Sequence, residues 1–264
     1  LQCLLNRERR APARLKEAAK RPSWSSALTA PQPIIYNPMP TDPKKHNPKG
    51  CYSRGYMTHF DDNAALQSIT FRLADSLPRE MLVQLEQELE KAPEGTREIQ
   101  RRKQIEDWLD TGMGCCALQH PEMAETMQNA LLHFHRVKYH ILAWCIMPNH
   151  VHVLIRQAAP LPKIVNSWKT FTARWALAHN ARLGLGIPGK RFWMREYWDR
   201  YIRNEEHFCK AVEYIHQNPV KAGLCKQARD WEWSSAHPDN DKDSLSHVAI
   251  FEKKKGLAKK LQHI

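Results

Sequence analysis

The 264-residue sequence has no apolar run longer than the seven residues Ile141–Met147, whereas a helix that crosses a bilayer needs ~20. A membrane span is therefore not expected. The seven cysteines are scattered, with Cys115 and Cys116 adjacent and no CxxC spacing. Thiolate zinc sites and disulfide frameworks need closely paired cysteines, so neither is predicted, and a reducing cytoplasm is the expected setting. The N-terminus is Arg-rich and lacks the apolar core of a signal peptide. It opens on Leu rather than Met, which fits a fragment or a start further upstream. No internal repeat is visible. Acidic charge is in short supply: 28 Asp and Glu stand against 40 Lys and Arg, a formal net charge of +12. That imbalance points to a polyanionic partner. Hydrophobic and charged fractions of 42% and 26% are those of a globular chain and exclude full disorder. The length fits one generous domain, or one domain with extensions.

The charge is unevenly spread. Residues 1–50 carry +7 together with eight prolines and no sustained apolar period, which predicts a basic, disordered extension. Residues 51–137 carry −5, 138–224 carry +8, and 225–249 carry −2. The last fifteen residues carry +4, so 237–264 reads as a Lys-rich tail. The folded domain is expected at 51–236.

Within it, Ser68–Leu73 reads as a strand. Met81, Leu82, Leu85 and Leu89 recur at helical spacing after Pro78, and a charged segment from Thr96 to Leu109 is also helical in pattern. A third helix is predicted over 121–134. Two apolar runs, Tyr139–Met147 and His150–Ile155, flank Pro148-Asn149 and predict a hairpin. A long helix follows over 161–183, with Trp168, Phe171 and Trp175 at core spacing. After a Gly/Pro loop and an aromatic stretch from Phe192 to Tyr201, a last helix is predicted from Glu205 to Asn218. Asn204 would be its N-cap and Pro219 its stop. This order is an α+β layout on an antiparallel sheet.

His150 and His152 alternate with Val151 on the second hairpin strand, so both imidazoles leave the same face. Their Cα atoms would lie ~7 Å apart, within joint reach of one divalent cation. A polar pair on a half-exposed sheet face is the other reading of the same spacing. His133-Phe134-His135 is also HxH, but at a helix end, where such positions point about 200° apart. There, His133 is expected to be partly buried and His135 at the surface. On the last helix, Asn218 falls one turn after Tyr214, so a phenol and an amide share a face.

Five segments occur in order: MPNHVHVLI (147–155), SWKTFTARWA (167–176), FWMREYWDRYIRNEEHF (192–208), YIHQNPVKAGL (214–224) and DWEWSSA (230–236). Together they resemble the REP-associated tyrosine transposases, relatives of the single-tyrosine HUH transposases of small insertion sequences. ITFRLADSLP (69–78) is similar to the family's first strand. The resemblance implies a ferredoxin-like antiparallel sheet flanked by helices, with the HUH histidines on a central strand and the nucleophilic tyrosine on a helix. By the same resemblance, His150, His152 and Asn218 would be ligands of Mg²⁺ or Mn²⁺, and Tyr214 the nucleophile. The implied activity is nicking and strand transfer on single-stranded DNA with foldback, REP-like hairpins through a 5′-phosphotyrosine, by a monomer or homodimer at the cytoplasmic nucleoid. A domesticated hairpin-binding regulator without turnover is the alternative, and a hydrolase that activates water through the two histidines a third. Lys163, Lys169, Arg174, Lys190, Arg191, Arg195, Arg200 and Arg203 are interleaved with aromatics in the +8 block and are the expected DNA contacts. Lys221 fits either a phosphate contact or a solvated position.

Overall fold

The computed structural model describes residues 50–53, 58–61 and 65–243, with side chains from 65 to 240. The Pro-rich extension and most of the Lys-rich tail lie outside the described residues. A short antiparallel hairpin, β1 (Gly50–Ser53) and β2 (Thr58–Asp61), comes first. Then follow β3 (Leu66–Arg72), α1 (Arg79–Glu90), α2 (Glu94–Asp110) and α3 (Pro121–Leu132). The second half supplies β4 (Tyr139–Ile146), β5 (His150–Gln157), α4 (Leu161–Leu183), β6 (Trp198–Tyr201) and α5 (Glu205–Lys221).

The four main strands pair in the order β4-β5-β3-β6, and every neighbour is antiparallel. With helices on the β3–β4 and β5–β6 crossovers, this is the split βαβ arrangement of a ferredoxin-like sheet. The α+β expectation is borne out, and β5 is a central strand.

Alternation along β5 sorts its two faces. Val151, Val153 and Ile155 enter the larger core beneath α3 and α4, with Ile69, Phe71, Met123 and Trp168. Leu154 enters a second cluster beneath α5, with Cys145, Phe208 and Ile215. Helices α1 and α2 pack on each other through Leu85, Leu89, Ile105 and Leu109, and Trp198 of β6 packs against them. The outer edge of β4 is covered by the chain at 233–235: Ile146 N–H donates to Trp233 O at 2.8 Å, and Ser235 N–H to Trp144 O at 2.9 Å. That cover removes an open edge that could pair with another chain.

Helix α4 has the predicted bounds because its ends are chemically marked. Pro162 sits in its first turn, and Gly184 ends it at φ 63°, a left-handed backbone that glycine adopts without strain. Asn204 caps α5 as expected, accepting the His207 N–H at 2.9 Å. Pro219, however, does not stop that helix, which runs on to Lys221. A proline lacks only its own N–H, so only the bond to the Ile215 carbonyl is lost. Ala222 N–H to Asn218 O and Leu224 N–H to Pro219 O then close the last turn.

Other expectations change. The aromatic run, to which the sequence assigns no element, contains β6, whose four half-buried or exposed residues give no alternation to detect. Phe171 is 54% exposed rather than core, while Trp168 is fully buried and Trp175 stacks on His179. His133 is the exposed member of its pair, and His135 is the half-buried one, its Nδ1 accepting the Ile141 N–H at 3.0 Å. Cys116 is disulfide-bonded, although the cysteine spacing predicts no disulfide framework. Among the described residues no helix is long and apolar enough to cross a membrane.

Candidate functional site

The turn Met147-Pro148-Asn149 is pinned from both sides. Leu73 N–H donates to Asn149 O at 2.8 Å, and Leu118 N–H to Pro148 O at 3.1 Å. The Asn149 side chain is buried, and its Nδ2 donates to Met113 O at 3.0 Å. Its Oδ1 is thereby an acceptor, and it lies 2.7 Å from His150 Nδ1. His150 must then carry its proton on Nδ1, which leaves a lone pair on Nε2.

His152, two residues on, has its Nδ1 2.9 Å from Thr70 Oγ1 on β3, the residue directly opposite in the register. Its Nε2 is buried and has no hydrogen-bond partner among the described residues. The two rings lie 4.7 Å apart between centroids. Both are fully buried, and burial holds them neutral: the His150 pKa is lowered to about 3 by burial and then by Lys221, and that of His152 falls well below its ordinary value by burial and then by His150.

Helix α5 completes the cluster. The Tyr214 ring meets His152 edge-on, with centroids 5.4 Å apart. Asn218 is buried, and its Nδ2 donates to Tyr214 O at 2.7 Å, one turn back along the helix. The Asn218 amide favours the charged form of both His152 and Tyr214, so it stands beside both. Burial, then Glu106 and Asp110, push the Tyr214 phenol far above its usual pKa, so the resting side chain is a neutral phenol. The sequence-predicted residues His150, His152, Tyr214 and Asn218 thus converge from β5 and α5.

The donor set fits a divalent cation. Two neutral imidazoles, one with a bare Nε2 fixed by its tautomer and one with an orphaned buried Nε2, stand with a carboxamide beside them. An unsatisfied buried nitrogen is costly in a folded protein, and a ligand that uses it removes that cost.

Tyr214 also lines a cleft of about 890 Å³ between α2, β6 and α5. Its basic residues are Arg102, Lys103, Arg200 and Lys210, with Glu98, Glu106 and Asp199 among them. Of the eight expected DNA contacts, only Arg200 lines this cleft, and exposed Arg203 follows just beyond β6. Lys169, Arg174, Lys190 and Arg191 line a separate groove of about 330 Å³ beside α4, on the other face of the sheet. Lys169 is tied there, donating to Met194 O at 2.6 Å and Arg195 O at 2.8 Å. Lys163 and Arg195 are exposed, and nothing brings them to Tyr214. Lys221 is half-exposed and bridges Asp107 and Asp110 of α2, at 2.9 Å to each. The sequence reading missed Arg102, Lys103 and Lys210. The first two sit in the segment of net charge −5, where the run Arg101-Arg102-Lys103 was the available signal.

Residues 118–218 match the family described as "Transposase IS200 like". A REP-associated tyrosine transposase of Escherichia coli is 31% identical over 101 residues, 38% of this chain and 56% of that protein. A relative from Haemophilus influenzae, named for the same group, is 28% identical over 111 residues, 38% of this chain and 61% of that protein. The chain therefore spans little more than half the length of these curated relatives. A solved structure of a REP-associated tyrosine transposase bound to a REP hairpin aligns with a TM-score of 0.42 at 19% identity, covering 72% of this chain and 85% of that one. The matched segment begins at the turn before α3 and ends at Asn218, so it contains both histidines, Tyr214 and the strands between. The resemblance carried by the motifs therefore stands: over residues 118–218 this chain is similar to the IS200-like transposases, and among them to REP-associated tyrosine transposases.

Proposed function

We propose that the chain nicks and rejoins single-stranded DNA bearing foldback hairpins, with Tyr214 as nucleophile, as a DNA transposase does. The observation that carries this is the meeting of a phenol, two buried neutral imidazoles and a carboxamide, with the phenol itself lining a cleft that carries basic side chains. His150, His152 and Asn218 would hold Mg²⁺ or Mn²⁺, and two imidazole donors favour Mn²⁺ over the harder Mg²⁺. The bound cation would supply Lewis-acid charge at the scissile phosphate.

The chain's own groups do the rest. The Tyr214 oxygen attacks phosphorus and loses its proton, and the bond from phosphorus to the 3′ oxygen breaks. A free 3′-hydroxyl leaves, and a 5′-phosphotyrosine remains. Because one phosphoester replaces another, bond energy is kept for rejoining and no nucleotide cofactor is required. The raised pKa of Tyr214 keeps the resting phenol neutral, so its proton must leave as the bond to phosphorus forms. Arg200 and Arg203 would neutralise the strand beside it. The transposase domain would take in 51–236 and, beyond it, the turn Pro238–Asp243, whose Asn240 donates to Glu232 O and Ser234 O.

The test is a denaturing gel of the protein with end-labelled, hairpin-bearing single-stranded DNA and Mn²⁺. The expected result is a label of retarded mobility that survives denaturation and disappears in Tyr214→Phe, while binding on a native gel persists. Cleavage at the wild-type rate by Tyr214→Phe would sink the mechanism. Binding by the wild type with no cleavage would make the chain a hairpin-binding regulator.

A further inference from the structure

We propose that α2 forms a wall of the strand-binding cleft, with Arg102 as its phosphate-binding residue, held in reserve by Glu106 until DNA arrives. This rests on the reading of the cleft as a single-strand path and adds to it a helix outside the family-matched segment.

Arg101 pairs with Glu86 of α1 and with Glu98 of its own helix, and does not itself line the cleft. Arg102, about 100° further round the helix, lines the cleft together with Tyr214. Its Nε donates to Glu106 Oε1 at 2.9 Å, a pair at i,i+4 whose side chains are 28% and 17% exposed. Only one of its guanidinium nitrogens makes that bond. A guanidinium in this state can exchange a carboxylate for a phosphate without unfolding anything, because the fork that binds one binds the other.

The surroundings favour the exchange. Arg200 and His207 face the same cleft, and Arg102 bears on both: the pKa of each is lowered by burial first, and next by Arg102 for Arg200 and by Arg200 for His207, with Arg102 following Arg203 in the latter. A cluster of mutually repelling cations beside a nucleophile is relieved by an anion between them. Glu98 and Asp199 face the same space, so the cations there are set among carboxylates and a strand must meet them individually.

The experiment is a salt titration by fluorescence anisotropy, in EDTA so that no cleavage occurs. The probe is a fluorescein-labelled DNA hairpin with a single-stranded flank. Arg102→Ala should make the log–log salt slope shallower by ~0.7, the value for one phosphate contact on a single strand. Arg101→Ala removes the same charge from the same helix and should leave the slope unchanged. Glu106→Gln frees Arg102 and should tighten binding by about two- to five-fold, the worth of a part-exposed ion pair. Arg102→Gln keeps the first part of the aliphatic stem without the charge and should reproduce the alanine slope, should Arg102→Ala melt early. An unchanged slope in both Arg102 variants, or an equal loss in Arg101→Ala, overturns the assignment. Failure of the nicking reading would appear separately, as wild-type protein that binds and never forms a tyrosine adduct.

Discussion

Asn149 is tied at both ends of its carboxamide, to Met113 O and to His150 Nδ1, and this decides which imidazole nitrogen is bare. Groups that orient a metal-binding histidine in this way are commonly worth 10–100-fold in affinity. Asn149→Ala should therefore weaken Mn²⁺ binding by about that factor, while His150 itself stays in place. Isothermal titration with Mn²⁺ reads it directly, and unaltered affinity would remove Asn149 from the site. The same burial sets a pH dependence. With its folded pKa near 3 against an ordinary 6.5, His150 stays neutral in the native state while the unfolded chain takes up a proton. Its contribution is present above pH 6.5 and is lost as pH falls toward 3. The slope for one proton is ~1.4 kcal/mol per pH unit. Urea unfolding of metal-free protein at pH 7 and pH 5 should show the loss, and His150→Gln should reduce the slope by one proton. A slope that does not change on that substitution would mean His150 is protonated in the folded state.

Helices and strands were legible where their ends carry local chemistry. Pro162 and Gly184 bracket α4, and Asn204 opens α5, so these bounds followed from residue types alone. The hairpin β4–β5 was legible because two apolar runs, Tyr139–Met147 and His150–Ile155, flank the turn dipeptide Pro148-Asn149. What escaped depended on contacts distant in sequence. β6 exists because Thr70 and Ile69 of β3 offer it a ladder, and four residues with part-exposed side chains do not announce that. Phe171 has the spacing of a core residue, yet α4 turns it outward between the buried Trp168 and Thr172. The metal-site candidates were legible since period-2 alternation puts His150 and His152 on one face. The meeting of β5 with α5 was available only through the family resemblance, because no spacing rule links residue 152 to residue 214. Arg102 escaped for the opposite reason. Averaging charge over 51–137 dissolved a basic triplet in an acidic segment, and the helix periodicity that separates Arg101 from Arg102 is finer than any such average.

At the scale of the whole molecule, the sheet divides the basic residues into two surfaces. One rims the cleft with Tyr214 and comprises Arg102, Lys103, Arg200 and Lys210. The other, beside α4, presents Arg174, Lys190 and Arg191, all exposed, with Phe171 standing out of the same helix. The proposed reaction at Tyr214 would draw on the first surface, since the second is lined by residues of the core on the other face of the sheet. The second surface can act only by holding DNA that extends beyond the cleft. Substituting alanine for Arg174, Lys190 and Arg191 together should therefore weaken binding of a hairpin-bearing strand, and flatten its salt slope by up to ~2–3 if all three meet phosphates. Single-turnover cleavage at saturating DNA should be unchanged, because nothing near the reacting phosphorus has moved. The two readouts separate cleanly. A fall in the cleavage rate at saturation would mean that DNA bound beside α4 is coupled to the chemistry across the sheet. An unchanged salt slope would leave that surface as solvated charge and confine recognition to the cleft walled by α2, β6 and α5.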